Sequence, residues 1–167
     1  VDVTEQRFDA GIRYGGTVPE DMVAQRLSAD VRWVVAASPE YLVRFGEPRH
    51  PNDLHQHRCV SNRLGNNRIY KWEFERGEEQ LTVKVPPLLT VDLAETGVVA
   101  ILQGFGLMYL PEPLIAEHVS AGRLRLVLTD WASYGPGFYI YYSSRHQLPT
   151  GLRLLISLVR EMKPLGL

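Results

Sequence analysis

The sequence lacks several features that would assign it to a class of protein at once. Its 167 residues contain one cysteine, Cys59, so the chain has no disulfide framework and a reducing, cytoplasmic location is indicated. No apolar run approaches the roughly 18 residues of a membrane-spanning helix, so no membrane partner is expected. Lys and Arg number 18 against 19 Asp and Glu, a formal charge of −1. Since DNA-binding domains usually carry a net positive charge, this chain is not expected to bind DNA by itself.

Nucleotide-binding loops are absent as well. The pattern Gly104-Phe105-Gly106 follows a predicted helix and precedes a predicted strand, which is the reverse of the dinucleotide-binding order, and no third glycine stands at the required place. No GxxxxGK[ST] motif occurs. We interpret the glycines as a tight turn between packed elements and expect no cofactor.

A metal-like cluster consists of His50, His55, His57 and Cys59. Imidazole and thiolate groups are zinc ligands, but this spacing fits no common zinc site. Cys59 also falls where a buried strand is predicted, and a free cysteine there usually acts as a small apolar side chain. We therefore assign these residues structural roles and expect no metal.

A fragment of hydrolase machinery is present at Ser143-Ser144 and His146. A hydrolase needs an activated nucleophile, a base and an orienting group. The fragment has no G-x-S-x-G elbow to present the serine. A solvated loop is the better interpretation.

Strands and helices alternate through most of the chain, which predicts an α/β fold with mainly parallel sheets. Residues 32–37 form a near-continuous apolar run, as expected for a strand covered on both faces. Ser38 as N-cap and Pro39 at the first helical position predict a helix that ends at Gly46.

Two further patterns carry local predictions. Trp72 and Phe74 alternate with charged residues before a second alternating run, which predicts an antiparallel hairpin with these two rings on its inner face and Lys71 and Glu73 outside. Asp92 stands three residues before Glu95, a capping-box variant that predicts Asp92 as the cap of the next helix.

Arginine outnumbers lysine by 15 to 3. Arg13 and Arg63 both follow or end predicted strands, and open α/β sheets place their ligands at the carboxyl ends of strands. A guanidinium binds a carboxylate through two parallel hydrogen bonds, so these two arginines are candidates for anion binding. A solvated surface position is the alternative for each.

The order of motifs along the chain resembles the effector-binding domain of LysR-type transcriptional regulators. The matching segments extend over the whole chain and include 8–15, 34–39, 51–54, 72–74, 89–92, 103–107, 110–111, 121–124, 127–128, 139–142 and 145–146. The W-x-F hairpin and the G-R-L…V-L…W ending are typical of one large subgroup.

The resemblance implies an α/β, two-lobed, periplasmic-binding-protein-like (type II) fold. Two crossover strands, expected at 32–37 and 139–142, would join the lobes. Lobe I would comprise residues 1–37 and 143–167, and lobe II residues 38–142. In this family a small effector, often an organic acid or an aromatic compound, binds in the cleft between the lobes and biases a DNA-binding tetramer.

The resemblance also implies that the first lobe is incomplete. In the family, a winged helix-turn-helix, a linker helix and a first strand–helix–strand precede the segment that matches Val1. Their absence predicts an open strand edge near 10–13 or 32–37. It also predicts exposed apolar side chains at Trp33, Val35, Ile156 and Val159, and hence self-association as a dimer or tetramer.

Site residues follow from the matching positions. From lobe I we expect Arg13 and Tyr14 to contact the effector, with Arg13 facing Arg63 across the cleft. The expected contacts from lobe II are Ser61, Asn62, Arg63, Asp92 and Phe105. For Asp92, a plain helix cap is an equally good interpretation.

The function predicted from the sequence is that of a ligand-sensing domain of a bacterial transcription factor, without catalysis. DNA would be bound only through a domain absent from this chain. Two alternatives stay open at this stage. One is a periplasmic solute-binding protein for a small anion, which shares the fold, and the other is a small α/β hydrolase that uses His146.

Overall fold

The structure is a computed structural model, and it describes residues 8–64, 67–143 and 148–163. The helices are α1 (Pro39–Phe45), α2 (Ala94–Leu102), α3 (Ala116–Ser120) and α4 (Thr150–Met162), with short 3-10 turns at Pro51–Gln56, Glu112–Leu114 and Thr129–Trp131. The strands are β1 (Gly11–Tyr14), β2 (Met22–Arg26), β3 (Val31–Ala37), β4 (Cys59–Asn62), β5 (Trp72–Arg76), β6 (Glu79–Val83), β7 (Pro87–Val91), β8 (Leu107–Pro111), β9 (Arg125–Val127), β10 (Ser133–Gly135) and β11 (Phe138–Ser143). Within the described residues, no helix is long and apolar enough to cross a membrane.

The chain divides into two compact units. The terminal unit combines Val1–Val31 with Gly135–Leu167, and the central unit is Arg32–Tyr134. Strand β3 belongs to the sheet of the central unit, and β11 belongs to that of the terminal unit. The lobe boundaries expected from the sequence fall a few residues further along the chain in both places, and the assignment of lobes stays a prediction.

The central unit is built on a mixed sheet with the strand order β10-β3-β8-β4-β7, in which β9 also pairs with β3. Strand β4 runs parallel to both β7 and β8, whereas β3 is antiparallel to β8 and β9. The prediction of mainly parallel sheets is therefore wrong. Alternation of helix and strand favours parallel neighbours only within βαβ units, and β3 is the strand by which the chain enters this unit.

A compact apolar core joins the central sheet to α2. Val60, Met108 and Leu110 from the sheet pack with Val98 and Ile101 from the helix, and each is at least 94% buried. Helix α1 forms as its sequence predicts, because the Ser38 hydroxyl accepts a hydrogen bond from the Tyr41 amide at 3.2 Å and Gly46 ends the helix.

The hairpin of β5 and β6 is confirmed in its register and in the face it buries. Trp72 pairs with Val83, and Phe74 pairs with Leu81. Both rings are at least 97% buried, and their centroids lie 5.8 and 5.6 Å from that of Tyr109. Lys71 and Glu73 are exposed. The aromatic side chains thus attach the hairpin to the central sheet.

The terminal unit contains an antiparallel sheet of order β1-β11-β2. Ile156 of α4 packs against Leu27 and Ile140 beneath it. Strand β2 was not expected from the sequence. None of its five residues is fully buried, and half-buried and exposed positions do not alternate strictly. The sequence therefore lacks a clear period-two pattern of apolar and polar residues.

The exposed apolar residues are not those that the sequence predicts. Trp33, Val35 and Ile156 are buried, and Val159 is partly buried against the core of the terminal unit. Trp33 stacks against the rings of both Tyr70 and Tyr109. These partners are distant in sequence, so local pattern could not predict that they would cover Trp33. The apolar side chains that α4 does expose are Leu154, Leu155, Leu158 and Met162. Within the described residues, β1 is an edge strand as expected, whereas β3 is internal.

The three residues Gly104-Phe105-Gly106 form a turn that ends α2. Gly104 has φ +73°, and its amide and that of Phe105 donate to the carbonyls of Ile101 and Ala100, which is the hydrogen-bond pattern of a Schellman cap. A Cβ atom on Gly106 would lie 2.3 Å from the backbone oxygen of Arg58, which accepts from the Leu107 amide at 2.8 Å. The structural interpretation of this motif is confirmed.

Substitution of Gly106 should therefore be costly. Gly106→Ala places a methyl group against backbone that cannot move without breaking sheet contacts, and we expect a loss of about 1–3 kcal/mol in the free energy of unfolding. Gly151→Ala is the matched control. Gly151 is exposed in the first turn of α4, and a Cβ atom added there would have no neighbour within 4 Å. Urea unfolding of both variants checks this, and equal stability for the two would contradict it.

Candidate functional site

Strand β4 ends where polar side chains collect at one edge of the central sheet. Ser61 and Asn62 pair in parallel with Thr90 and Val91 of β7, and the Arg63 amide donates to the Val91 carbonyl at 2.8 Å. Helix α2 begins just after β7. Ligands of open α/β sheets bind at this carboxyl edge, so its side chains form the first candidate site.

Two buried polar atoms at this edge have no hydrogen-bond partner among the residues that the structure describes. They are the Ser61 hydroxyl oxygen and the side-chain carbonyl oxygen of Asn62, and Ser61 is completely buried. An unsatisfied buried polar group costs about 1–3 kcal/mol, and native structures contain few of them. The two atoms belong to successive residues at the end of β4.

Arg63 and Asp92 form an ion pair at the same edge. The Nε and Nη2 atoms of Arg63 donate to the Oδ1 and Oδ2 atoms of Asp92 at 2.7 and 3.1 Å, and Nη1 donates to the Asn67 side chain at 3.5 Å. Hydrogen bonds from the guanidinium hold the pKa of the Asp92 carboxyl below its ordinary value. Both side chains are exposed to solvent, at 42% and 69%.

The prediction that Asp92 caps α2 is wrong. The N-cap residue is Leu93, and within the described residues the start of the helix has no side-chain cap hydrogen bond. Asp92 is held by Arg63 instead. A charge-assisted pair of hydrogen bonds is stronger than the single amide contact of a cap, and a partner 29 residues away is invisible to local pattern.

Phe105 does not join this group. It follows α2, whose nine residues put its two ends roughly 13 Å apart, and it lies just before β8. Because β8 runs parallel to β4, the start of β8 lies at the amino edge of the sheet, opposite the carboxyl edge. Phe105 is half exposed there, so it does not lie beside Asp92, and its contact with an effector stays a prediction.

Arg13 and Tyr14 lie on β1 in the terminal unit. The Arg13 guanidinium donates to the Thr17 carbonyl at 3.3 Å and lies 5.2 Å from the centroid of the Tyr141 ring. The Tyr14 ring packs against the Phe138 ring, with 4.6 Å between the ring centroids. Their contact with an effector, and the opposition of Arg13 and Arg63, stay predictions.

The histidine and cysteine cluster has structural contacts. His50 caps the 3-10 turn at Pro51–Gln56 by accepting from the Asn52 amide. The Tyr41 hydroxyl accepts from the Arg58 amide at 3.0 Å and can then donate to Nδ1 of His57 at 3.1 Å. Burial lowers the pKa of His57, which keeps the ring neutral and able to accept. No group of metal-ligating side chains was found in the part of the chain that the structure describes.

Cys59 is fully buried, and its thiol faces the Leu54 carbonyl at 3.6 Å. Ser143 ends β11, whereas Ser144 and His146 lie outside the described residues. The structural interpretation of the cluster is confirmed for His50, His57 and Cys59.

Cys59 should be chemically inert in the folded chain. Burial raises the pKa of its thiol from 9.0 to about 12, so the thiolate fraction at neutral pH is about a thousandfold lower, and the thiolate is the reactive form. We expect negligible labelling by Ellman's reagent until guanidinium unfolds the chain, when one thiol per chain should react. Rapid labelling of the native chain would show that Cys59 is accessible.

Comparison with known proteins gives consistent relatives. The family profile "LysR substrate binding domain" matches residues 1–164. The chain is 38% identical to the "Uncharacterized HTH-type transcriptional regulator YcaN" of Escherichia coli over 96% of this chain and 52% of that protein. It is 36% identical to a "Putative transcriptional regulator" of Pseudomonas aeruginosa over 99% of this chain and 54% of that protein. The chain thus spans about half the length of these relatives.

Solved structures with the same fold include regulatory domains. The regulatory domain of CrgA, a LysR-type transcriptional regulator from Neisseria meningitidis, aligns with a TM-score of 0.79 and 26% identity, over 98% of this chain and 78% of that one. The full-length Vibrio cholerae virulence activator AphB aligns with a TM-score of 0.76 and 25% identity, over 98% and 54%.

Proposed function

The chain belongs to the family of LysR substrate-binding domains, and we propose that it senses a small-molecule effector on behalf of a transcription regulator. Membership confirms the family and the α/β, periplasmic-binding-protein-like fold expected from the sequence. The relatives are transcriptional regulators, so we assign this chain a regulatory role without catalysis. A regulatory role is favoured over both alternatives raised by the sequence, the periplasmic solute-binding protein and the α/β hydrolase.

The observation that carries the proposal is the pair of unsatisfied polar atoms at the end of β4. The Ser61 hydroxyl can donate and accept, while the Asn62 carbonyl oxygen only accepts. Successive strand side chains point to opposite faces of a sheet, so an effector would have to reach around the end of β4 to present a donor to Asn62 and a polar group to Ser61. The amino end of α2 adds positive potential at the same edge, and the Arg63 guanidinium, which Asp92 pairs in the free chain, has the donor geometry that recognises carboxylates, so an anionic or aromatic acid is favoured.

Arg13 and Tyr14 remain candidate contacts to the effector from the terminal unit. Signalling requires that the effector bind one arrangement of the protein more tightly than another, since a ligand shifts an equilibrium only by that difference. We further propose that the whole protein is cytoplasmic, self-associates as a dimer or tetramer, and acts on DNA through a segment outside this chain.

Ser61→Ala tests the effector site because it separates binding from stability. The hydroxyl has no hydrogen-bond partner among the described residues, so its removal should leave the melting temperature unchanged or raised. The variant should bind effectors at least tenfold more weakly. A panel of small carboxylates and aromatic acids, followed by thermal shift on the wild-type chain, would supply the ligands.

Ser38→Ala is the matched control for a buried serine. Its hydroxyl caps α1, so the variant should lose about 0.5–2 kcal/mol of stability and keep effector binding. The proposal is overturned if compounds that stabilise the wild-type chain stabilise Ser61→Ala equally. It is also overturned if Ser61→Ala loses as much stability as Ser38→Ala.

The chain alone should not bind duplex DNA measurably at physiological salt. Its formal charge of −1 offers no excess of cations to release counterions from the phosphate backbone. A gel-shift titration with random-sequence duplex checks this. A salt-sensitive shift produced by the isolated chain would be the contrary result.

A further inference from the structure

We propose that Asp92 decides which effectors the site accepts. Its carboxylate occupies the two donor groups of the Arg63 guanidinium, Nε–H and Nη2–H, which we call the fork. An effector carboxylate binds there by displacing Asp92. The proposal rests on the proposed effector site at the end of β4. It names carboxylates as the ligand class and gives Asp92 the role of a specificity-determining residue.

The first step is that the fork of Arg63 is already occupied. Two nitrogens of one guanidinium donate to the two oxygens of one carboxylate, at 2.7 and 3.1 Å. This bidentate geometry is the one in which arginine recognises an external carboxylate. A ligand carboxylate would therefore need the same two N–H groups, and both carboxylates cannot hold them together.

The second step is that the internal pair can be displaced. The Arg63 and Asp92 side chains are 42% and 69% exposed, so water and ions reach both partners and weaken their attraction. Exchange of Asp92 for a ligand carboxylate keeps the same number of charge-assisted hydrogen bonds on Arg63. The exchange therefore costs little at the guanidinium.

The third step is that a displaced Asp92 has a second partner nearby. The first-turn amides of an α-helix lack partners within the helix, and α2 has no side-chain cap. Asp92 directly precedes the N-cap residue Leu93, and with Glu95 it forms the sequence pattern of a capping box. Once freed, its carboxylate can accept from these amides and stabilise the positive end of the helix.

Asp92 thus has two mutually exclusive partners, Arg63 without the effector and the start of α2 with it. A cationic ligand would gain nothing from this exchange, because it cannot replace Asp92 on the guanidinium. Ser61 and Asn62 are left to bind the remaining polar groups of the effector.

Acetate is the probe for the test, because it carries the same carboxylate group as the Asp92 side chain. Its affinity for the 167-residue chain is measured by NMR titration of the Asn62 and residue-63 backbone amide resonances, which every variant retains, with the Arg63 Nε–H resonance as a second reporter where Arg63 is present and chloride at equal ionic strength as the reference. Asp92→Asn removes the internal charge, so acetate should bind this variant at least tenfold more tightly than the wild type. Adding Arg63→Gln to Asp92→Asn should abolish that gain.

Asp130→Asn is the matched control for loss of one negative charge, since Asp130 is an exposed aspartate of the same unit outside the Arg63 pair. It should leave acetate affinity at the wild-type value. In the wild type, acetate should also shift the Glu95 and Thr96 amide resonances as Asp92 moves to cap α2. Those shifts should be lost in Asp92→Ala.

Equal acetate affinity for the wild type and Asp92→Asn would overturn the role of Asp92. An equal gain in Asp130→Asn would overturn it too, by showing a general effect of charge. The effector site itself is judged separately by Ser61→Ala. If that variant loses effector binding while Asp92→Asn leaves acetate affinity unchanged, the site stands and the specificity role of Asp92 falls.

Discussion

The parallel pairing of β4 between β7 and β8 is the constraint on which the candidate site depends. It brings the end of β4, with Ser61 and Asn62, beside the end of β7, from which the chain turns into α2. Arg63 and Asp92 are 29 residues apart in sequence and meet only because these two strands end at the same edge. Antiparallel pairing of β4 and β7 would place them at opposite edges, and the polar cluster would not form.

The core beneath this edge compensates for its unsatisfied groups. Ile101, Met108 and Leu110 are completely buried, and burial of one such side chain contributes about 1.5–3 kcal/mol. That contribution is comparable to the cost of about 1–3 kcal/mol for one buried polar atom without a partner. The aromatic packing of Trp72 and Phe74 on Tyr109 adds further burial from the hairpin. A well-packed unit can therefore tolerate two buried oxygens that have no hydrogen-bond partner among the described residues.

Features set by neighbouring residues were predictable from the sequence. The caps of α1, the burial of β3, the hairpin register and the turn at Gly104 each follow from local rules, and the structure has them. Features set by distant partners were not. Strand direction depends on which strands meet, Trp33 is covered by Tyr70 and Tyr109, and Phe105 is separated from Asp92 by the length of α2. Of the candidate site, Ser61, Asn62, Arg63 and Asp92 do lie together at one edge.

The failure of the capping rule at Asp92 bears most directly on function. Local and long-range preferences agree at Ser38, where the sequence predicts a cap and the hydroxyl provides one. At Asp92 they disagree, since the same local pattern is present but Arg63 holds the carboxylate. Local sequence preference and the long-range contacts of the fold are expected to disagree where side chains serve a functional site rather than stability. The start of α2 without a side-chain cap, the Arg63–Asp92 pair and the two oxygens without a partner among the described residues lie at one edge of one sheet. Under the proposal, a bound carboxylate changes the first two and can accept a hydrogen bond from the Ser61 hydroxyl, whereas the Asn62 carbonyl oxygen needs a donor elsewhere on the ligand.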